Sequence, residues 1–310
     1  MRYLITGAAG FIGSKLAETL MSEGHTVIGV DNFNNYYDPM LKHERVLIRN
    51  IDVFEMDVGS ITKMHMEDWN PDVVIHLAAR AGVRDSLDYP ELYHQDNIDA
   101  TQNLIRVCEA AGVKKVVYAS TSCVMASNKI IPWTESETPS HMLNPYGYTK
   151  FVNECQFRIS KIPNTIGLRF FTVYGPWGRP DMALFKFTKA IVEGKAIDVY
   201  NYGDMKRDFT YIDDIVAGIK LMINGDIPGH EIFNIGNGKQ VQLLDFIRHI
   251  EKNVGKPAVI KKLPKHPADS QETWSDTTKI QQYGYQPTVD IEEGVARFVY
   301  WYKHYYRINQ

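Results

Sequence analysis

Tyr146 and Lys150 form a YxxxK pair in the run Tyr146-Gly147-Tyr148-Thr149-Lys150. On a helix this spacing puts both side chains on one face. An ammonium beside a phenol favours the phenolate and lowers its pKa from about 10. The result is a base usable near neutral pH. The pair alone equally describes two residues on a solvated helix. It gains weight from Val116-Val117-Tyr118-Ala119-Ser120-Thr121-Ser122-Cys123, which reads as a strand ending in a hydroxyl cluster. Open α/β sheets bind ligands at the carboxyl ends of their strands. The same hydroxyls are also ordinary turn-capping residues.

A second constellation is Gly7-Ala8-Ala9-Gly10-Phe11-Ile12-Gly13, with GxxGxxG spacing between a strand and a helix. Glycines there permit a tight turn and close backbone approach. The helix start then offers free N–H groups and a positive dipole end to a pyrophosphate. Asp31 ends the next strand. A carboxylate there can accept from both adenosine ribose hydroxyls and repels a 2′-phosphate, so NAD is expected over NADP. Asp31 is also a plausible strand-end turn former beside Asn32, Asn34 and Asn35. Asp57-Val58, after a third strand, either meets the adenine or is a loop acid.

These groups need elements to hold them. Strands are expected at 3–6, 26–30, 72–77 and 116–119, with helices at 11–22, 97–111 and 146–159. Unbroken apolar runs such as Val73-Val74-Ile75 fit strands buried on both faces. Strand–helix alternation predicts an α/β fold, a Rossmann-like doubly wound parallel sheet. Beyond residue 168 glycine and proline cluster in Gly175-Pro176-Trp177-Gly178-Arg179-Pro180 and the pieces shorten. This predicts a dinucleotide domain at 1–168 and a smaller mixed α/β substrate domain at 169–310, with about 207–224 returning to the first. Near the C-terminus Phe298, Trp301, Tyr302 and Tyr305 have the spacing of a helical core stripe.

The chain has 310 residues, enough for a large core without staples. Its 34 basic and 37 acidic residues lack the basic surplus of a general nucleic-acid binder. Three cysteines, Cys108, Cys123 and Cys155, are too few for a disulfide scaffold and fit a reducing compartment. No apolar stretch reaches membrane-span length. The first residues enter a strand at once, so a cytoplasmic protein without a leader is expected. The ten histidines show no HxH or HxxxH pattern, and no metal site is expected.

Residues 7–13, Thr121, Tyr146 and Lys150 together resemble an extended short-chain dehydrogenase/reductase of the NAD-dependent epimerase/dehydratase group. Asp31-Asn32-Phe33-Asn34-Asn35-Tyr36-Tyr37-Asp38-Pro39 with Leu41-Lys42 is similar to a segment of bacterial UDP-glucuronate 4-epimerases. So are the runs from Gly167-Leu168-Arg169 to Asp181-Met182-Ala183, and from Ile197-Asp198-Val199-Tyr200 to Tyr211-Ile212-Asp213-Asp214. The likeness spans nearly the whole chain. It implies epimerisation at carbon 4 of a UDP-sugar through a 4-keto sugar, with NAD as cofactor. Tyr146 would move the proton of the 4-hydroxyl, Thr121 would hold the same oxygen, and Lys150 would hold the nicotinamide ribose.

The resemblance also implies the rest of the site. Cofactor contacts would come from Gly7, Gly10, Phe11, Ile12, Gly13, Asp31, Asn32, Asn35, Asp57 and Val58. Leu77, Ala78, Ala79, Asn97, Ser120 and Phe170 would complete them. The glucuronate 4-keto sugar is a β-keto acid prone to losing carbon dioxide. Arg179 suits a bidentate hold on its carboxylate, and Thr172 could meet it too. Arg179 otherwise reads as half of a loop salt bridge. Arg207 is the diphosphate candidate, with a pair to Asp208 as the plainer reading, and Arg84 is a further candidate for that anion. Ser122, Cys123, Ala183, Phe187, Val199, Tyr200 and Asp269 would complete the sugar site. Homodimerisation through the 97–111 and 146–159 helices is also implied.

The chain departs from the family at Met125-Ala126 (usually Tyr-Gly), at Tyr146-Gly147-Tyr148-Thr149-Lys150 (usually YAATK), at Arg80 (usually Gln) and at His266-Pro267-Ala268-Asp269 (usually PGD). No catalytic group is lost, but the preferred hexose is left open. UDP-glucose or UDP-N-acetylglucosamine 4-epimerase is the nearest alternative. Ser122-Cys123 lacks the Asp-Glu of 4,6-dehydratases and the Glu of UDP-glucuronate decarboxylases. A silent NAD-binding sensor could dispense with Thr121, Tyr146 and Lys150, and all three are present.

Overall fold

The computed structural model describes residues 1–308. The first part of the chain runs β1 (Arg2–Thr6), α1 (Phe11–Ser22), β2 (Thr26–Asp31), α2 (Met40–Arg49), β3 (Val53–Glu55), α3 (Lys63–Trp69) and β4 (Val73–His76). Two short helices, α4 (Asp85–Asp88) and α5 (Pro90–Tyr93), precede α6 (Ala100–Ala110), β5 (Lys115–Thr121), α7 (Pro145–Ile159) and β6 (Asn164–Phe170). The remainder is β7 (Thr172–Tyr174), α8 (Ala183–Val192), β8 (Ala196–Val199), β9 (Lys206–Tyr211), α9 (Ile212–Asn224) and β10 (Gly229–Ile235). It closes with β11 (Gln240–Gln242), α10 (Leu243–Val254), β12 (Val259–Lys262), α11 (Thr278–Gln281) and α12 (Ile291–Tyr305).

Seven strands form one sheet in the order β10-β6-β5-β4-β1-β2-β3, and every neighbouring pair is parallel. This is the expected doubly wound sheet. Its central strands must be apolar on both sides, and all four residues of β4 are buried. One face packs Leu16, Ala17 and Leu20 of α1 with Ile215, Ile219 and Met222 of α9. The other packs Leu104, Ile105 and Cys108 of α6 with Phe157 of α7. A separate core joins α8, α10 and α12 to the small sheets β11-β9-β7 and β12-β8. Phe298 and Tyr302 of the aromatic stripe are buried there, and Trp301 and Tyr305 pack on Trp177. Among the described residues no helix is long and apolar enough to cross a membrane.

Two expectations need correction. The helix expected over 97–111 is α-helical only from Ala100; His94–Asp99 is a π-helical turn that follows directly from α5. The change of texture at 168 falls inside β6, because a composition shift marks where exposed loops begin rather than where a buried strand ends. The chain then comes back to the large sheet with α9, which packs on α1, and adds β10 beside β6.

One buried side chain ties the pieces around the strand ends together. Arg45 of α2 is fully buried. It donates to the carbonyls of Ala9 (3.2 Å), Trp177 (2.6 and 3.1 Å) and Gly178 (3.4 Å), and to the Tyr37 hydroxyl (2.6 Å). Trp177 sits at φ +65°, a left-handed conformation that a tryptophan keeps only when its surroundings impose it. Arg45→Met removes the donors and strands three carbonyls. At about 1 kcal/mol for each, it is expected to cost about 3 kcal/mol of unfolding free energy. Urea unfolding of the two proteins measures this, and equal midpoints would refute it.

Candidate active site

A cleft of about 1000 Å³ opens at the carboxyl ends of β1, β2, β4, β5 and β6. The glycine turn forms its floor. Gly7 has φ +74°, and a Cβ there would stand 2.7 Å from the Ala78 amide nitrogen. A Cβ on Gly13 would overlap the Gly7 carbonyl oxygen, so α1 can approach the turn only because that position has no side chain. The first turn of α1 holds no acidic residue and its N-cap, Gly10, supplies no side-chain acceptor. Its N–H groups therefore remain available to an anion. Asp31 is buried at the cleft wall, where its carboxylate accepts from the amides of Ala9 (3.1 Å) and Phe33 (2.9 Å). Lys42 stands 3.5 Å away, and the sequence reading did not anticipate it. A carboxylate has about four acceptor sites, so with Ala9, Phe33 and Lys42 counted one stays open to a ribose hydroxyl. This donor and acceptor set fits a dinucleotide with an unphosphorylated ribose.

Most of the expected cofactor residues border the cleft: Phe11, Ile12, Asn32, Asp57, Val58, Leu77, Ala78, Ala79, Ser120 and Phe170 do so with the glycines. Two do not. Asn35 is exposed in a turn, and Asn34 borders the cleft instead, accepting from Lys42 at 3.1 Å. Asn97 is buried behind the wall. Its amide bridges the backbone of Arg80 (2.7 and 3.0 Å) and the Thr149 hydroxyl (2.9 Å), so it positions a loop instead of facing a ligand.

Tyr146 and Lys150 stand on the first two turns of α7. The helix starts there because Pro145 suits its first turn and the Asn144 side chain caps the Gly147 amide at 2.8 Å. Both residues border the cleft beside Thr121, Ser122 and Cys123. Thr121 also caps its turn, accepting from the Cys123 amide at 3.2 Å, so its two readings coexist. The expected lowering of the phenol is not found. Burial pushes Tyr146 up to about 12 and Cys123 adds to the rise, while the Arg179 charge and the Thr121 hydroxyl oppose it. Burial also pushes Lys150 down to about 8, against the pull of Glu154. Desolvation, which disfavours either charged form, outweighs the alignment on one helix face.

Glu154 was also missed, although it follows Lys150 by one more helical turn. Its buried carboxylate accepts from Ser120 (2.6 Å) and from Arg169 (2.8 and 2.9 Å). It thereby joins α7 to the ends of β5 and β6.

Arg84, Arg179 and Arg207 border the rest of the cleft. Arg84 pairs with Asp269 at 2.7 Å and lies 3.8 Å over the Tyr200 ring. Arg207 is held by the carbonyls of Lys206, Ser270 and Gln271 at 2.7–2.9 Å, and not by Asp208. Asp208 is instead buried among the amides of Asn237, Gly238 and Ser275. Arg179 pairs with Asp181 through two hydrogen bonds. Thr172, Ala183 and Phe187 complete that wall. Val199, expected there, is fully buried in the C-terminal core, and its neighbour Asp198, on the alternate face of β8, borders the cleft.

Residues 3–236 match the NAD dependent epimerase/dehydratase family. The chain is 40% identical over 313 residues to a UDP-glucuronate 4-epimerase of Thermodesulfobacterium geofontis, covering 97% of this chain and 96% of that one. It is 38% identical over 337 residues to UDP-glucuronate 4-epimerase 1 of Arabidopsis thaliana, covering 99% and 77%. Its fold matches the crystal structure of the Bacillus cereus UDP-glucuronic acid 4-epimerase in complex with UDP-glucuronic acid and NAD. That TM-score is 0.92, at 34% identity, over 99% of this chain and 100% of the other.

Gly13→Ala tests the floor of the cleft. The added methyl must push α1 away from Gly7 and displace its N–H groups. The variant is expected to melt lower and to lose at least tenfold in ADP-ribose affinity, read by calorimetry. Unchanged binding would show that this close approach does not shape the site.

Proposed function

The chain belongs to the NAD-dependent epimerase/dehydratase family, and from that premise we propose that it is an isomerase converting UDP-glucuronate to UDP-galacturonate by inverting carbon 4. The observation that carries this is the shared cleft. Arg179, a cation suited to a sugar carboxylate, borders the same cleft as the glycine turn and Tyr146 and acts on the Tyr146 phenol. The cofactor is NAD, which when bound accepts and returns the carbon 4 hydrogen as hydride.

The protein's own groups do the rest. The N-terminus of α1 binds the pyrophosphate of the dinucleotide, and the carboxylate of Asp31 binds its adenosine ribose. Tyr146 takes the proton of the sugar 4-hydroxyl and later returns it, and the Thr121 hydroxyl orients the same oxygen. Lys150, charged and buried, holds the ribose near the phenol. Arg207 and Arg84 take the diphosphate. Arg179 and Thr172 take the carboxylate and keep its bond out of line with the carbon 4 ketone, which slows loss of carbon dioxide.

We divide the chain, on this reading, into a nucleotide half, 1–170 with α9 and β10, and a sugar half formed by the remainder. The working form is a homodimer. Leu87 of α4, Tyr89 between α4 and α5, Leu92 of α5 and Tyr148 of α7 are exposed, and these helices pack on one another and offer an apolar face. Cys108, Cys123 and Cys155 are all unpaired, which suits the cytoplasm.

Incubation with UDP-glucuronate and no added reductant is expected to give UDP-galacturonate at unchanged mass. A product lighter by carbon dioxide, or turnover of UDP-glucose alone, would refute the assignment. Tyr146→Phe is expected to lose on the order of 10²- to 10⁴-fold in turnover. Because burial holds the phenol high, the wild-type rate should climb from about pH 6 to about pH 8 as the ionised fraction grows. A flat profile would remove Tyr146 as the base.

A further inference from the structure

Arg179 makes two hydrogen bonds, both to Asp181: Nε to Oδ1 at 3.0 Å and Nη2 to Oδ2 at 2.5 Å. Nε and Nη2 form one edge of the planar guanidinium. The fork has a second two-pronged edge, formed by Nη1 and the other hydrogen of Nη2. Among the described residues no side chain or backbone group takes Nη1, and Arg179 borders the cleft. One carboxylate of the chain thus occupies the side edge and leaves the end edge free.

Asp181 is itself held. The Tyr36 hydroxyl donates to its Oδ2 at 3.4 Å, and the guanidinium lies 5.6 Å over the Tyr36 ring. The Met182 amide bonds back to the Arg179 carbonyl at 3.2 Å, closing a turn across the pair. Displacing Asp181 would strand a carboxylate that is about three-quarters buried (side chain 23% exposed), which is costly. Binding a second carboxylate on the free edge strands nothing.

We propose that Asp181 is a positioning residue that grips one edge of Arg179 and turns the adjacent edge to the cleft, so that a single guanidinium is shared between Asp181 and the carboxylate of a uronate substrate. This rests on the UDP-glucuronate assignment above. The charge of the pair is balanced before substrate arrives, so preference for an acidic sugar comes from geometry: two parallel N–H donors fixed in the plane of the incoming carboxylate. A loose arginine would supply charge without that aim.

The test uses the NAD-bound protein carrying Tyr146→Phe, so that ligands bind without turning over. UDP-glucuronate, UDP-glucose and UDP are titrated by calorimetry against this protein and against versions with Asp181→Asn, Arg179→Met or Arg179→Lys added. Asp181→Asn is expected to weaken UDP-glucuronate roughly tenfold and to leave UDP-glucose and UDP unchanged, since an amide cannot accept along both prongs. Equal or tighter binding of UDP-glucuronate would overturn the proposal, making Asp181 a bystander or a competitor that substrate displaces. If Asp181→Asn no longer binds UDP, Arg179→Lys decides. Lysine can still pair with Asp181 but has no second edge, so UDP-glucuronate should weaken as far as in Arg179→Met, and affinity equal to that of the arginine protein would overturn the proposal. The substrate assignment fails separately, and takes the proposal with it, if the Arg179 protein does not prefer UDP-glucuronate to UDP-glucose and Arg179→Met changes nothing.

Discussion

A fully buried guanidinium, that of Arg45, fixes the relation between the two loops from which the cleft is made. One of its acceptors is the Ala9 carbonyl in the glycine turn; the others include the Trp177 and Gly178 carbonyls, next to Arg179. A buried charge with no carboxylate among these partners is stable only if carbonyl dipoles surround it. It therefore demands a particular backbone on both loops at once. The left-handed Trp177, tilted against Trp301 and edge-on to Tyr305 of α12, is one consequence. Through it the C-terminal helix shares in holding the sugar end of the cleft at a fixed distance from the nucleotide end.

Within that frame, burial acts on each charged group according to what surrounds it. Glu154 opposes the desolvation of Lys150, and Asp181 answers that of Arg179, so neither cation is left alone. At Tyr146 the Arg179 charge and the Thr121 hydroxyl only partly offset desolvation, and its proton is held tightly. A phenol that ionises reluctantly is a strong proton acceptor once ionised.

The sequence carried the local part of this site well. Glycines at 7, 10 and 13, the strand-end Asp31 and the Tyr146–Lys150 spacing are legible because each acts through its own turn or helix. The parallel sheet was legible because central strands must be apolar on both faces. What escaped was contact between distant segments. Nothing in the run around Arg45 reveals that it reaches residues 177 and 178. The pairing of Arg179 with Asp181 was open to reading, since they are two positions apart, but a loop salt bridge and a substrate clamp look like alternatives until the two edges of the guanidinium are seen. Val199 failed for a different reason: strand alternation gives two faces, and the sequence did not say which one met the core. The texture change at 168 failed because composition reports exposure, and β6 is buried to its end.

The central claim is that both halves of the cleft act on one carbon, with hydrogen leaving and returning at carbon 4 inside a closed site. The most direct test is UDP-glucuronate carrying deuterium at carbon 4, converted in ordinary water and analysed by proton NMR and mass. The account predicts UDP-galacturonate with the deuterium still on carbon 4. Loss of deuterium from carbon 4 to solvent would contradict it.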